Sequence, residues 1–131
     1  MFVTNLWAIP VAAIAAMALG FLWYSPVLFG KTWAKAKGLK LDMKPNPMLF
    51  IWQFIAEVAV ASVLALLILA SGATRVSGGT LIGFYVGLIV ACVLFTGTLF
   101  GGGKRTVFII DASHFLAVLV VMGAILGAFA W

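Results

Sequence analysis

Four apolar runs, each roughly as long as a bilayer is thick, alternate with three polar breaks along the chain. Residues 1–30 carry no charged side chain, and the Ser25-Pro26 step biases Ser25 away from helical geometry, which predicts a first helix over residues 3–24. At the α-helical rise it would reach about 33 Å, enough to cross the hydrocarbon core with a modest tilt. A cationic break follows, with Lys31, Lys35, Lys37, Lys40 and Lys44 offset only by Asp42, and it closes on the helix-hostile Pro45-Asn46-Pro47. Inside this break, residues 31–37 predict a short helix on the membrane surface, with Trp33 dipped toward the apolar side, the lysines among the headgroups and Gly38 as its end. Three further long helices are predicted over residues 48–70, 80–100 and 106–131, separated by a turn at 71–79 and a flexible basic connection at 101–105.

Composition turns this pattern into a fold class. Apolar residues make up 66% of the chain and charged ones 8%, a balance that excludes a water-soluble domain. The expected fold is all-α: a polytopic membrane protein, a compact bundle of four transmembrane helices forming one domain over residues 1–131. Ala16-Met17-Ala18 looks like a signal-peptide cleavage site, but no Lys or Arg precedes the run and it stays apolar through Phe29, so the first helix is expected to be retained.

Net charge is +5, yet the basic residues sit in the breaks and form no nucleic-acid-binding surface. Four crossings put the first and third breaks on one side and the second break with both chain ends on the other. Lys31, Lys35, Lys37, Lys40, Lys44, Lys104 and Arg105 fall on the first side and only Arg75 on the second, a bias that predicts cytoplasmic first and third breaks. Lys31, Lys35, Lys37 and Lys40 are expected to contact anionic lipid headgroups. Cys92 lies in an apolar stretch, is the single cysteine, and is expected to be a buried, inert thiol.

Helices in lipid associate where small side chains let backbones approach. Ala8, Ala12, Ala16 and Gly20 form such a ladder in the first helix, Gly83, Gly87 and Ala91 in the third, and Gly123 and Gly127 in the fourth. These faces are expected either to pack the bundle internally or to form a homo-oligomer interface. Pro10 is expected to kink the first helix if neighbours satisfy the freed carbonyl.

Against this apolar background the ionisable residues stand out. An acidic side chain inside a membrane helix is costly and therefore a site hypothesis by default, and Glu57 falls close to the middle of the second helix. Gln53 and Ala61 lie four residues to either side and share its stripe, which should face protein. The Glu57 carboxyl is expected either to be hydrogen-bonded to a neighbour or to exchange a proton. Asp111 and His114 are three apart on one face of the fourth helix; Asp111 is expected to pair with His114 or to reach back to Lys104 or Arg105. Glu57, Cys92 and His114 fall at a similar depth, which permits a metal cluster, though their spacing matches no compact ligand motif and no cofactor is expected. No catalytic or nucleotide-binding motif is present, and Gly101-Gly102-Gly103-Lys104-Arg105 lacks the spacing of a phosphate-binding loop, so an enzyme is not expected.

Trp23-Tyr24-Ser25-Pro26, followed by Phe29-Gly30 and Trp33, resembles the signature of a bacterial family of small four-helix membrane proteins of unknown function. Asp111 and Met122-Gly123-Ala124-Ile125 resemble that family's closing segment. The resemblance implies a bacterial inner-membrane location, and the charge bias adds that both termini lie outside the cytoplasm. It brings no activity and no catalytic residue; physically, Trp23, Tyr24 and Trp33 are expected to be interface anchors. Two functions compete at this level. One is a small transporter or channel-like protein that uses Glu57, alone or with His114, as an intramembrane proton or cation site; the other is a structural or accessory subunit of a larger membrane complex.

Overall fold

The computed structural model describes residues 5–40 and 46–130. The expected helix start at Val3, the end at Trp131, and Asp42, Lys44 and Pro45 lie outside the described residues. Within them the chain is helical throughout, in the order α1 (Ala8–Trp23), α2 (Gly30–Lys37), α3 (Pro47–Ser71), α4 (Val76–Gly101) and α5 (Arg105–Ala128).

Helix lengths differ from those expected for four membrane spans. Helices α3, α4 and α5, with 25, 26 and 24 residues, are long and apolar enough to cross a membrane. Helix α1 has 16 residues, about 24 Å of rise, less than the hydrocarbon core requires. Its ends explain the shortfall. The Asn5 carboxamide accepts the Trp7 N–H at 3.2 Å and the Asn5 carbonyl accepts the Ala8 N–H at 2.9 Å, so a turn occupies residues expected to be helical. At the other end the Ser25 hydroxyl donates to the Leu22 carbonyl at 2.7 Å and the chain turns away. Pro10 stands in the first turn of α1, where its missing N–H costs little and no kink is needed.

The other boundaries have local causes. The expected surface helix is present as α2, and Gly38, at φ 71°, ends it in the left-handed region. Asn46-Pro47 starts α3 and is not hostile to it, because the Asn46 side chain accepts the Met48 N–H at 3.0 Å and Pro47 occupies a position whose N–H needs no partner. Helix α4 begins at Val76, before the expected Thr80, and runs through Gly101, so the third connection is shorter than expected.

Small residues set the architecture. Gly79, Gly83 and Gly87 are the buried residues of α4, and they lie directly against the α5 backbone. A Cβ on Gly79 would overlap the Gly123 carbonyl oxygen and stand 2.8 Å from the Gly127 Cα, so the two backbones touch where only glycine fits. Ala8, Ala12, Ala16 and Gly20 are likewise buried and bring α1 onto α3 and α5. The core joins Ala61, Leu64 and Ile68 of α3 with Val118, Met122 and Leu126 of α5. The small-residue faces are thus used within the chain. Large side chains such as Ile51, Ile55, Leu66, Leu81, Ile89 and Leu99 point outward, as lipid-facing surfaces require.

Chain direction follows from two contacts. Residues of the 24–33 segment meet the first third of α5, while the Arg75 carbonyl lies 2.5 Å from where a Gly127 Cβ would be, near the end of α5. The first and third breaks are therefore at one end of the bundle, and the second break is at the other.

Candidate functional site

The segment after α1 is a compact turn held by its own backbone. The Trp23 carbonyl accepts the Phe29 N–H at 3.0 Å, and the Ser25 carbonyl accepts both the Leu28 N–H at 3.1 Å and the Gly30 N–H at 3.0 Å. Gly30 is pressed against this turn so closely that a Cβ would overlap the Tyr24 carbonyl oxygen and lie 2.8 Å from that of Ser25. Glycine at this position is a steric requirement. Pro26 is exposed at the outside of the turn, and Ser25 spends its hydroxyl on the backbone, so neither presents a free group.

The turn aims three aromatic side chains at α5. The Tyr24 hydroxyl donates to Asp111 Oδ1 at 2.6 Å and the Trp33 Nε1–H donates to the same oxygen at 2.9 Å, while the Trp23 Nε1–H donates to the Ile110 carbonyl at 3.2 Å. Tyr24 and Trp33 meet edge to face at 5.3 Å. Burial first, and then the hydrogen bond and charge of Asp111, push the Tyr24 phenol above its ordinary range and keep it a donor. The expected reach of Asp111 back to Lys104 or Arg105 is not what forms: its carboxylate is taken by two neutral donors from the other end of the sequence. Trp23, Tyr24 and Trp33 are likewise more than interface anchors, because their polar atoms turn inward. Lys37 lies over the Trp33 ring at 4.6 Å, which joins the basic face of α2 to this clasp.

His114 lies one turn further along α5 and is 4% exposed. Its ring is enclosed by Tyr24 and Phe115, each at 5.0 Å between centroids, and by Trp23 at 6.1 Å. Neither ring nitrogen has a hydrogen-bond partner among the described residues. The expected Asp111–His114 pair therefore does not form; Asp111 is engaged above the ring, and His114 Nε2 points at the space beside Gly20. A Cβ on Gly20 would stand 3.3 Å from that nitrogen and 3.7 Å from Gln53 Nε2, so the small residue is what lets α3 and α5 approach here.

Glu57 occupies a separate place. It is buried on the same protein-facing stripe as Ala61, as its spacing predicts, and it makes no hydrogen bond or ion pair among the described residues. It lines a cavity of about 540 Å³ between α3, α4 and α5, whose other walls include Val60, Val63, Val86, Phe115 and Leu119. Helices α3 and α4 scarcely touch, because α4 packs chiefly on α5, and this leaves the groove between them. Glu57 lines the groove together with α5's Phe115, whereas His114, whose ring lies 5.0 Å from that of Phe115, is not among the described residues that line it.

Equal depth did not place Cys92 with them. Cys92 is exposed on the outer face of α4 and not buried, and among the described residues no three His, Cys, Asp or Glu side chains are grouped to hold a metal. The groove walls had no sequence signal, since an aliphatic lining looks the same as core, whereas Gly20 stood in the small-residue ladder of the first helix. Gly30 did have one, standing within the Trp23 to Trp33 motif that now proves to be a single hydrogen-bonded unit with Asp111.

That unit joins two stretches far apart in the sequence. The chain belongs to the family described as protein of unknown function (DUF1761), which matches residues 7–127. For this DUF1761 chain the matched span contains the clasp, His114, Gln53 and the Glu57 groove together. No curated protein and no solved structure matches it.

Proposed function

We propose that this protein is a small membrane transporter in which Glu57 is the exchanging group. The reading is carried by one contrast: Asp111 Oδ1 accepts from both Tyr24 and Trp33, whereas Glu57 is a carboxyl without a partner among the described residues, in the wall of an otherwise apolar groove between membrane helices. A carboxyl without a protein partner keeps its lone pairs and its proton available to whatever enters. The clasp then serves as a fastener that holds the basic surface helix to α5, and His114 stabilises the helix contact behind it. Because the chain offers few helices for a complete pathway, the working unit is a homo-oligomer that leaves the groove mouth between α3 and α4 uncovered.

The test is reconstitution in liposomes with a trapped pH-sensitive dye. Wild-type protein is expected to dissipate an imposed pH gradient and Glu57→Gln to lose most of that flux; equal flux, or none from either protein, removes the proposal.

Orientation belongs to the same reading. In a bacterial plasma membrane the cationic end, with Lys31, Lys35, Lys37, Lys40, Lys104 and Arg105, faces the cytoplasm and its anionic headgroups, and both termini face outward. In a Cys92→Ser background, an impermeant maleimide is expected to label Arg75→Cys in intact cells and Lys35→Cys only after the membrane is opened. The reverse pattern would invert the topology.

A second reading, an accessory subunit of a larger complex, is favoured by the outward exposure of Ala59 beside the groove, a small residue at which a partner's helix can come close. A partner of fixed stoichiometry in native co-purification supports it, and a homogeneous homo-oligomer counts against it.

A further inference from the structure

The chemistry of the groove is specific enough to name what it takes. We propose that the Glu57 groove binds lipophilic organic cations, amines or onium ions with an apolar body, which enter sideways from the bilayer. This rests on the reading of Glu57 as an exchanging group and adds the identity of the cargo.

Charge complementarity comes first. Glu57 is the single charged side chain lining the groove, and the remaining walls are aliphatic apart from Phe115. Among the described residues no donor meets the carboxyl, so an occupant supplies the positive charge or the N–H itself. A neutral amine arriving from lipid takes the proton of the Glu57 carboxyl and remains beside it as an ammonium–carboxylate pair, so the proton balance closes within the site. An onium ion has no site for the proton and pairs with Glu57 in its ionised form, the proton having been released to bulk water. Anionic amphiphiles are repelled, and phospholipid phosphates would meet a carboxylate with no compensating donor.

Size and surroundings exclude simpler cations. A volume of about 540 Å³ falls in the range of small-molecule sites. Inorganic cations need several oxygen ligands at once, and an aliphatic wall with one carboxyl cannot replace a hydration shell. A lipophilic cation has shed most of its water before it arrives, which lowers the desolvation cost that normally opposes burying an ion pair. Phe115 adds an aromatic side chain to the same wall, a feature that suits an organic cation.

Access follows from the helix arrangement. Val60, Val63 and Leu67 are both groove-lining and exposed, so the groove opens onto the lipid-facing surface between α3 and α4. The bilayer is therefore the compartment from which the occupant comes.

Equilibrium dialysis of the purified full-length protein against radiolabelled tetraphenylphosphonium tests this, with tetraphenylborate as a probe of the same shape and opposite charge. Wild-type protein is expected to bind the phosphonium saturably and Glu57→Gln at least about tenfold more weakly, with Glu57→Asp retaining most of the binding. Neither protein should bind tetraphenylborate saturably. Size-exclusion and helical content confirm that Glu57→Gln is folded, as expected for removal of a buried charge. Equal phosphonium binding by wild type and Glu57→Gln overturns the proposal, and so does equal binding of the borate, which would mean a groove for lipid tails. Efficient disulfide formation between copies through Val63→Cys, with no phosphonium binding, overturns it in favour of a second copy as occupant. If the proton flux still depends on Glu57 while phosphonium binding does not, the cargo assignment falls and the exchanging role stands; if neither depends on it, both fall.

Discussion

Gly79→Leu is expected to destabilise the protein by about 3 kcal/mol or more, while Gly97→Leu on the same helix is expected to be neutral or slightly stabilising. The two positions share a residue type, a helix and an apolar environment. They differ in what a side chain would meet: at Gly79 the backbone of Gly123 and Gly127, at Gly97 nothing within 4 Å. Backbone cannot swing aside as a flexible side chain can, so α4 and α5 must separate, and the separation also loosens the contact of Gly83 with Leu119. In water a leucine would recover part of this cost by being buried, but beside lipid tails that gain is absent. At Gly97 the leucine faces lipid and replaces a poor helix former, which contributes a few tenths to about 1 kcal/mol in the stabilising direction. Unfolding in mixed micelles by titration with a denaturing detergent reads both variants, and equal behaviour of the two would show that the glycine ladder does not hold the pair together.

The same glycines show what could and could not be read in the sequence. Ser77-Gly78-Gly79 looks like a turn by composition, and in water it would be one; in the protein it lies inside α4, where the bare backbone of Gly79 meets α5. A glycine is a breaker or an interface according to solvent, and one sequence does not distinguish them. The alanine ladder from Ala8 to Gly20 was legible because its four-residue period survives either reading. Surface helix α2 was legible from its lysines and from Gly38.

Depth was legible where direction was not. Counting residues places Glu57, Cys92 and His114 at one level, but helix azimuth depends on partners: Cys92 faces outward, Glu57 faces the groove and His114 faces three aromatic rings. The separation of Asp111 from Tyr24 and Trp33 by 87 and 78 residues put their hydrogen bonds beyond any local pattern. A length of apolar sequence also overstated α1, since the Asn5 turn and the Ser25 turn both cut into an uninterrupted apolar run.

Asp111→Leu is expected to release α2 from the bundle and cost about 2 kcal/mol of stability. Each hydrogen bond to a charged acceptor is worth about 1.5 to 3 kcal/mol when sheltered, and the sum for Tyr24 and Trp33 is roughly halved because both side chains keep partial exposure. Asp111→Asn retains an oxygen that can accept the same donors, so its loss should be less than half as large. The discriminating measurement is amide hydrogen exchange. With leucine at 111, exchange over residues 30–38 should accelerate while the glycine-packed portions of α4 and α5 remain protected, because the clasp and the ladder are separate attachments. Combining Asp111→Leu with Tyr24→Phe should add little to the single variant, since both remove the same bond. Lys104→Ala and Arg105→Ala should leave exchange in α2 unchanged, which separates this account from one in which Asp111 serves its basic neighbours. Protection of α2 that survives Asp111→Leu would mean that the turn around Gly30 holds the surface helix without the carboxylate.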